Sequence, residues 1–296
     1  MLIQTILFVA GAPLITGFIA KLKNRARMRL GPPVFQPYYT LAKLVTKNEI
    51  VSEYSSWIFR AAPVIVLSSA ITAVPLVPLA IPGLTMNMMG DGLAVFFVLG
   101  VGRFFMALAG LDTPSSFSSL GSSREMFLSA LAEPAAMLVI AAVAFTTGST
   151  DLSSLAVPGA RHLSLFLAAA SLYLVTIAET TRVPVDNRET HLELTMIHEA
   201  MLLEYSGPSL AMMEMASHVK QIVFFSLVAA LLFPLSGTVS LFVAIGVYAV
   251  KIVGLCILTA LIEVSVAKMR LFRVPDFLSF AGLLAVLAII TAVMGL

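Results

Sequence analysis

Between His191 and Gly207 the chain reads HLELTMIHEAMLLEYSG, two histidines and three glutamates set among leucine, methionine and isoleucine. Three kinds of chemistry fit such a set: metal binding, a solvated acidic face, or the relay of protons. Taken as a helix over about 188–205, offsets of 4 and 15 residues return to nearly the same face. Glu189, Glu193 and Glu204 then form one stripe, and Glu199 falls off it. His191 and His198 are seven residues apart, about 10 Å of helical rise, too far for both rings to reach one ion easily. The surrounding Leu192, Leu194, Met196, Ile197, Met201, Leu202 and Leu203 favour burial over a solvated face.

More ionisable groups stand where few are expected. Arg103, Glu133, Glu179, Lys251 and Glu263 all fall within apolar runs. Charges at membrane depth are costly and usually face a protein interior or a water path. Arg103 and Glu133 could simply pair across two helices, but one pair does not account for the whole set. Burial raises the pKa of a carboxyl group and a nearby cation lowers it again. Acids balanced in this way near neutral pH can pass protons.

The elements that must hold these groups are helices in lipid. Of 296 residues, 59% are hydrophobic and 11% charged, far below the roughly 25% charged of a soluble domain. A spanning helix needs about 20 apolar residues. Eight runs qualify: about 2–20, 61–82, 92–111, 126–147, 163–179, 209–235, 239–262 and 276–296. The sixth is the weakest and spans only if its helix starts near Pro208. The expected fold is an all-α integral membrane protein, a single polytopic domain over 1–296. Its N-terminus lies outside, because with that orientation fifteen of the 18 Lys and Arg residues fall inside and only Arg161 outside. Positive charges follow the first apolar run, so it reads as a spanning helix and not as a signal peptide.

Two long inside loops result, about 21–60 and 180–208. The first begins with KLKNRARMRLGPP, a basic stretch suited to anionic lipid headgroups. In PYYTLAKLVTKNEIV, Tyr38, Leu41, Leu44 and Val45 recur at helical spacing, with Lys43 and Lys47 on another face. This predicts an amphipathic interfacial helix, lying on the membrane or beneath a docked partner. The single cysteine, Cys256, cannot form an internal disulfide or hold an iron–sulfur cluster. No glycine-rich nucleotide loop or catalytic triad pattern is present, so the chain alone is expected to catalyse nothing. Nothing in it points to nucleic acid.

The stretch ETTRVPVD, Glu179 to Asp186, followed by ETHLELTMIHEAMLLEYSG, resembles the membrane subunit of energy-converting (group 4) nickel–iron hydrogenases, of the formate hydrogenlyase subunit 4 and hydrogenase-4 component C type. That family is related to the quinone-site membrane subunit of complex I. Glu179, Thr180, Arg182, Pro184, Asp186, Glu189, Glu193, Glu204 and Tyr205 fit the shared pattern. The segment from Leu194 to Glu204 is about three residues longer than in the complex I form. RMRLGPPVFQPYYTLAKLVTKNEIV and GLDTPSSFSSLGSSREMFLSALAEP are similar to the first and second inside loops of both families.

The resemblance implies a subunit that docks a soluble redox arm to a prokaryotic cytoplasmic (inner) membrane. Iron–sulfur clusters and the nickel–iron centre would belong to hydrogenase-like large and small subunits. Antiporter-like membrane subunits would move protons or sodium ions. Glu179, Asp186, Glu189, Glu193 and Glu204 would be coupling acids, Glu133 would continue their path into the membrane, and Arg182 would hold the loop. Glu263 and Lys251 are further coupling candidates and Arg103 a further anchor, from their place in the spans. Three other readings compete: a quinone-site subunit of a complex I-type enzyme, a stand-alone ion transporter, and a structural anchor without an ion role. The transporter reading lacks paired broken helices and internal repeats.

Overall fold

The protein is described here by a computed structural model, which covers residues 2–77, 91–151, 163–188, 195–232 and 241–295. Apolar composition makes helix the only economical way to satisfy the backbone in lipid, and the described residues follow that rule. The long helices are α1 (Leu2–Ala26), α3 (Trp57–Ala73), α4 (Gly92–Asp112), α5 (Ser116–Thr147), α6 (Leu163–Glu179), α8 (Gly207–Leu232), α9 (Leu241–Ser265) and α10 (Val274–Met294). Two short helices, α2 (Gln36–Val45) and α7 (His198–Leu202), lie in the connections. Seven of the long helices are long and apolar enough to cross a membrane. The eighth, α6, has 17 described residues, at the low end of about 17–25.

The ends are set locally. Ser56 caps α3 by accepting from the Ile58 amide at 3.2 Å, and Asp91 caps α4 by accepting from Leu93 at 3.1 Å. Helix α5 closes on Gly148 in the left-handed conformation, with its amide donating to the Ala144 carbonyl at 2.8 Å. At 32 residues α5 is about 48 Å long, well beyond a hydrocarbon core of about 30 Å. Its first turns therefore project past the span predicted to begin near residue 126.

Helix α8, the weakest span by sequence, is the central one. Its apolar window is 78% buried, against 22–50% for the other six spans. Its Glu214, His218, Lys220 and Gln221 look poor for lipid because they face protein. It starts at Gly207, next to Pro208, as a full-length span requires. Around it, α3 packs on α4, and α10 packs on α5 and α6. Helix α10 buries Ala281, Ala285 and Ala288, small residues that bring backbones close. There Ser171 of α6 donates to the Ala281 carbonyl at 2.7 Å. Cys256 is buried as a free thiol.

Four connections meet at one end of the bundle. Ser206 exchanges hydrogen bonds with Ile50, the Ser56 amide donates to Asp112, and Ser209 donates to Glu49. Met269 donates to the Pro184 carbonyl at 2.8 Å. Helix α2 lies across this end against α8 and α1. Its Tyr38, Leu41 and Leu44 are partly covered, as the sequence predicts, while Val45 is exposed.

Candidate functional site

The site begins where α6 ends. Thr181 takes a positive φ of 51° in the position after the helix that glycine usually fills. A β-branched residue there is a true outlier. The Arg182 amide closes the turn on the Ile177 carbonyl at 2.9 Å, and Arg188 Nε holds the Thr181 hydroxyl at 2.8 Å. The strained turn sends Arg182 back into the bundle instead of out to solvent.

Two buried ion-pair clusters lie on either side of α8. In the first, Arg103 of α4 donates to Glu133 of α5 at 2.8 Å and to Glu179 of α6 at 2.5 Å. Lys220 of α8 reaches the same Glu179 oxygen at 2.8 Å. In the second, Glu263 of α9 holds Lys23 of α1 and Arg182, each at 2.9 Å. Arg182 also donates to Gln221 at 2.7 Å, and Thr16 joins Gln221 at 3.1 Å and His218 at 3.0 Å.

Asp186 forms a third anchor. It pairs with Lys268 at 2.7 Å and accepts from the Asn187 and Ile197 amides at 2.8 and 3.2 Å. Lys268 also donates to the Thr195 carbonyl at 2.7 Å, and Arg124 donates to the Met196 carbonyl at 2.9 Å. These side chains take up the backbone groups that a helix would use. That is why the helix expected over 188–205 is absent from residues 195–197 and, among the described residues of this stretch, runs from His198 to Leu202. The stripe of acids built on that helix does not hold at its far end: Glu204 is exposed on the turn after α7.

Two cavities flank Arg188 and His198. An outer vestibule of about 380 Å³ is lined by Thr16, Pro32, Pro33, Glu199, Glu214 and His218 among others. An inner cavity of about 40 Å³ is lined by Arg103, Glu125, Glu179 and Lys220. Arg188, His198 and Ser217 line both. Arg188 is fixed there by bonds to the Thr180 carbonyl and the Ser217 hydroxyl, at 2.8 and 2.7 Å. Burial, then the neighbouring Arg182, pushes its guanidinium down to about 10, which leaves it charged at neutral pH. Burial, then Arg188 and Lys220, holds His198 well below the usual histidine range, so it stands neutral.

The residues singled out by sequence thus divide. Arg103, Glu133 and Glu179 come together, as do Arg182 and Glu263. Asp186 lies apart with Lys268. Lys251 lies on α9 beside an apolar groove with α8, its ammonium 3.4 Å from the Ala229 carbonyl. Glu189, His191 and Glu193 lie outside the described residues, as does Arg161. Sequence reasoning missed Lys23, Lys220, Gln221 and Lys268 as partners, counting the lysines only toward membrane orientation. It also passed over Glu125. The available signal was depth for Lys220 and Gln221, which lie about three turns inside the sixth apolar run; Lys23, Glu125 and Lys268 lie just beyond the ends of runs and gave none. Among the described residues no three His, Cys, Asp or Glu side chains group to hold a metal ion.

Comparison with known proteins gives a consistent picture. The sequence profile of the NADH dehydrogenase family matches residues 1–294. The chain is 31% identical over 304 residues to formate hydrogenlyase subunit 4 of Escherichia coli (strain K12), covering 96% of this chain and 98% of that one. It is 31% identical over 276 residues to hydrogenase-4 component C of the same organism, covering 92% and 87%. It is 28% identical over 232 residues to a subunit of the NADH-quinone oxidoreductase of Burkholderia vietnamiensis (strain G4 / LMG 22486), covering 71% and 64%. In fold it is similar to a chain of the membrane-bound sulfane sulfur reductase, an archaeal respiratory membrane complex. That match has a TM-score of 0.85 at 18% identity and covers 98% and 99% of the two chains.

Proposed function

This chain belongs to the NADH dehydrogenase family, and from that premise we propose that it anchors and couples a hydrogenase-like, complex I-related oxidoreductase. The observation that carries the reading is the presence of three groups of buried charges: Asp186 with Lys268 on the loops, Glu263 with Lys23 and Arg182, and Arg103 with Glu133, Glu179 and Lys220. A structural anchor needs no such set, since apolar packing holds helices together without the cost of burying ions. Here six ion pairs link α1, α4, α5, α6, α8, α9 and two loops. The Asp186 amide donates to the Arg182 carbonyl at 3.1 Å, and Arg182 and Glu179 stand on one turn, so a charge change at the loop end acts on the Arg103 cluster across that turn.

In this proposal the N-terminus is outside, and the loops 21–60 and 180–208 face the cytoplasm of a prokaryotic cell. The exposed apolar side chains Phe35, Tyr39, Ile50, Tyr54 and Trp57 on the first of these loops receive hydrogenase-like large and small subunits. Those subunits carry the iron–sulfur clusters and the nickel–iron centre. Redox events there shift charge at Asp186, Glu189, Glu193 and Glu204. Arg182 anchors the loop, and Glu263 and Arg103 transmit the change. Glu133 has a side chain 48% exposed on the membrane flank, and it passes the change to antiporter-like membrane subunits.

The test is Glu133→Gln in the assembled complex in sealed vesicles. Ion movement per redox turnover should fall at least about tenfold, with subunit composition and nickel content intact. Unchanged ion movement per turnover would leave only the anchoring role.

A further inference from the structure

Glu125 has no place in the ion-pair chain, yet it lines the same inner cavity. It is on α5, eight residues and so about two turns before Glu133. The residue is 7% exposed. Its one hydrogen bond is made by the backbone, whose carbonyl accepts from Ser129 at 2.8 Å. Among the described residues the carboxylate itself has no hydrogen bond and no ion pair. A buried carboxyl group without a protein partner is costly. In a polar cavity its remaining partner is water. About 40 Å³ is room for roughly two to four waters at 10–15 Å³ each.

Charged or titratable groups face this cavity from every side. They are Arg103 on α4, Glu179 on α6, His198 on α7, Lys220 on α8 and Arg188 on the loop, with Asp186 acting on Glu125 from beyond the lining. On the lining Arg103, Lys220 and Arg188 bring three positive charges and Glu179 one negative; Glu133 pairs with Arg103 from outside it, and Glu199 acts on Arg188 from the vestibule. Asp186 is matched by Lys268, and His198 is neutral. Cations outnumber anions on the lining whether Glu125 is ionised or protonated, and its titration changes the local charge by one. Either state leaves every ion pair intact. Protonating Glu179, by contrast, would strip two cations of the carboxylate they share.

We propose that Glu125 is the proton-carrying residue of this site, taking protons from the vestibule past Arg188, His198 and Ser217 and releasing them on the Arg103 side. The inference rests on the coupling role proposed above. A proton relayed by water from the vestibule past Ser217 arrives in the inner cavity as a hydronium ion, which gives one proton to a Glu125 carboxylate oxygen and leaves water. The new O–H bond then breaks, the carboxylate reforms, and the proton passes to cavity water beside Arg103. One proton enters and one leaves, and no electron changes hands at Glu125.

The experiment uses the intact complex in proteoliposomes, with turnover driven by reduced methyl viologen and proton and sodium movement both recorded. Glu125→Gln should lower ion movement per turnover at least about tenfold, and Glu125→Asp should keep part of it. If Glu133→Gln uncouples and Glu125→Gln does not, the role of Glu125 is overturned and the coupling reading stands. If neither uncouples, both fall. If Glu125→Gln does not assemble, Glu125→Asp is compared with the unaltered complex by redox-induced infrared difference spectroscopy. A shifted, deuterium-sensitive carboxylic-acid carbonyl band supports the proposal, and an unmoved band overturns it.

Discussion

The ion pairs around Glu263 allow a sharp prediction, because two cations hold this one carboxylate. Lys23 and Arg182 share this one carboxylate at 2.9 Å each, and the three side chains are 6%, 10% and 3% exposed. At that depth salt screens them little. Glu263→Gln leaves two buried cations around a neutral amide. Removing one partner of a buried pair costs about 3–5 kcal/mol, and two stranded cations put this variant at the upper end. Lys23→Met removes one of the two cations, keeps Arg182 on Glu263, and fills the stem's volume. A volume-conserving change of this kind costs less than about 1.5 kcal/mol. Arg182→Lys falls between them: it gives up the 2.7 Å bond to Gln221, and a bond from a charged group is worth about 1.5–3 kcal/mol. The expected order of destabilisation is Glu263→Gln, then Arg182→Lys, then Lys23→Met. The outer two should differ by about 3 kcal/mol, roughly a hundredfold in the folded-to-unfolded ratio. Denaturant unfolding of the purified chain in detergent micelles, followed by circular dichroism, reads this order directly. If Lys23→Met costs as much as Glu263→Gln, the charge count is wrong and the cluster is held by packing alone.

Two further outcomes follow from the same geometry. A Cβ on Gly17 would lie 2.0 Å from the Val34 carbonyl oxygen and 3.1 Å from Pro37 Cδ, so Gly17→Ala must push the 32–37 turn off α1, at about 1–3 kcal/mol. Hydrogen–deuterium exchange at residues 34–38 should rise, and unchanged exchange would contradict the close approach. His198 is held neutral, with a folded pKa well below its unfolded value of about 6.5. Its contribution to stability is therefore full above about pH 6.5 and is lost as pH falls below that, by about 1.4 kcal/mol per pH unit. His198→Gln should flatten the stability profile on the acid side, and parallel profiles for the two proteins would refute the assignment.

The sequence carried the spans well, because lipid imposes a length and a composition on each. The start of α8 near Pro208 and the pairing of Arg103 with Glu133 were both legible in it. What escaped was whatever depends on distant partners. No local pattern says that Thr195, Met196 and Ile197 give up helical bonds, because Lys268, Arg124 and Asp186, which capture their backbone groups, lie up to 73 residues away. A rule that counts Lys220 and Lys23 as inside charges is silent about their partners. Thr181 at positive φ was equally hidden, since threonine is a poor residue for that turn and only the surrounding bonds hold it there.

The bridging place of Arg103 also constrains how the chain is made. A ribosome delivers α4 before any of its counter-ions exist, and an arginine at the centre of a lone inserting helix costs about 2.5–3.5 kcal/mol. Glu133 follows 30 residues later and Glu179 76 residues later. Until α5 arrives the apolar residues of α4 offset that cost alone, and pairing with Glu133 relieves it once the two helices pack. Lys220 then completes the set only when α8 slides into the middle of helices already in the bilayer.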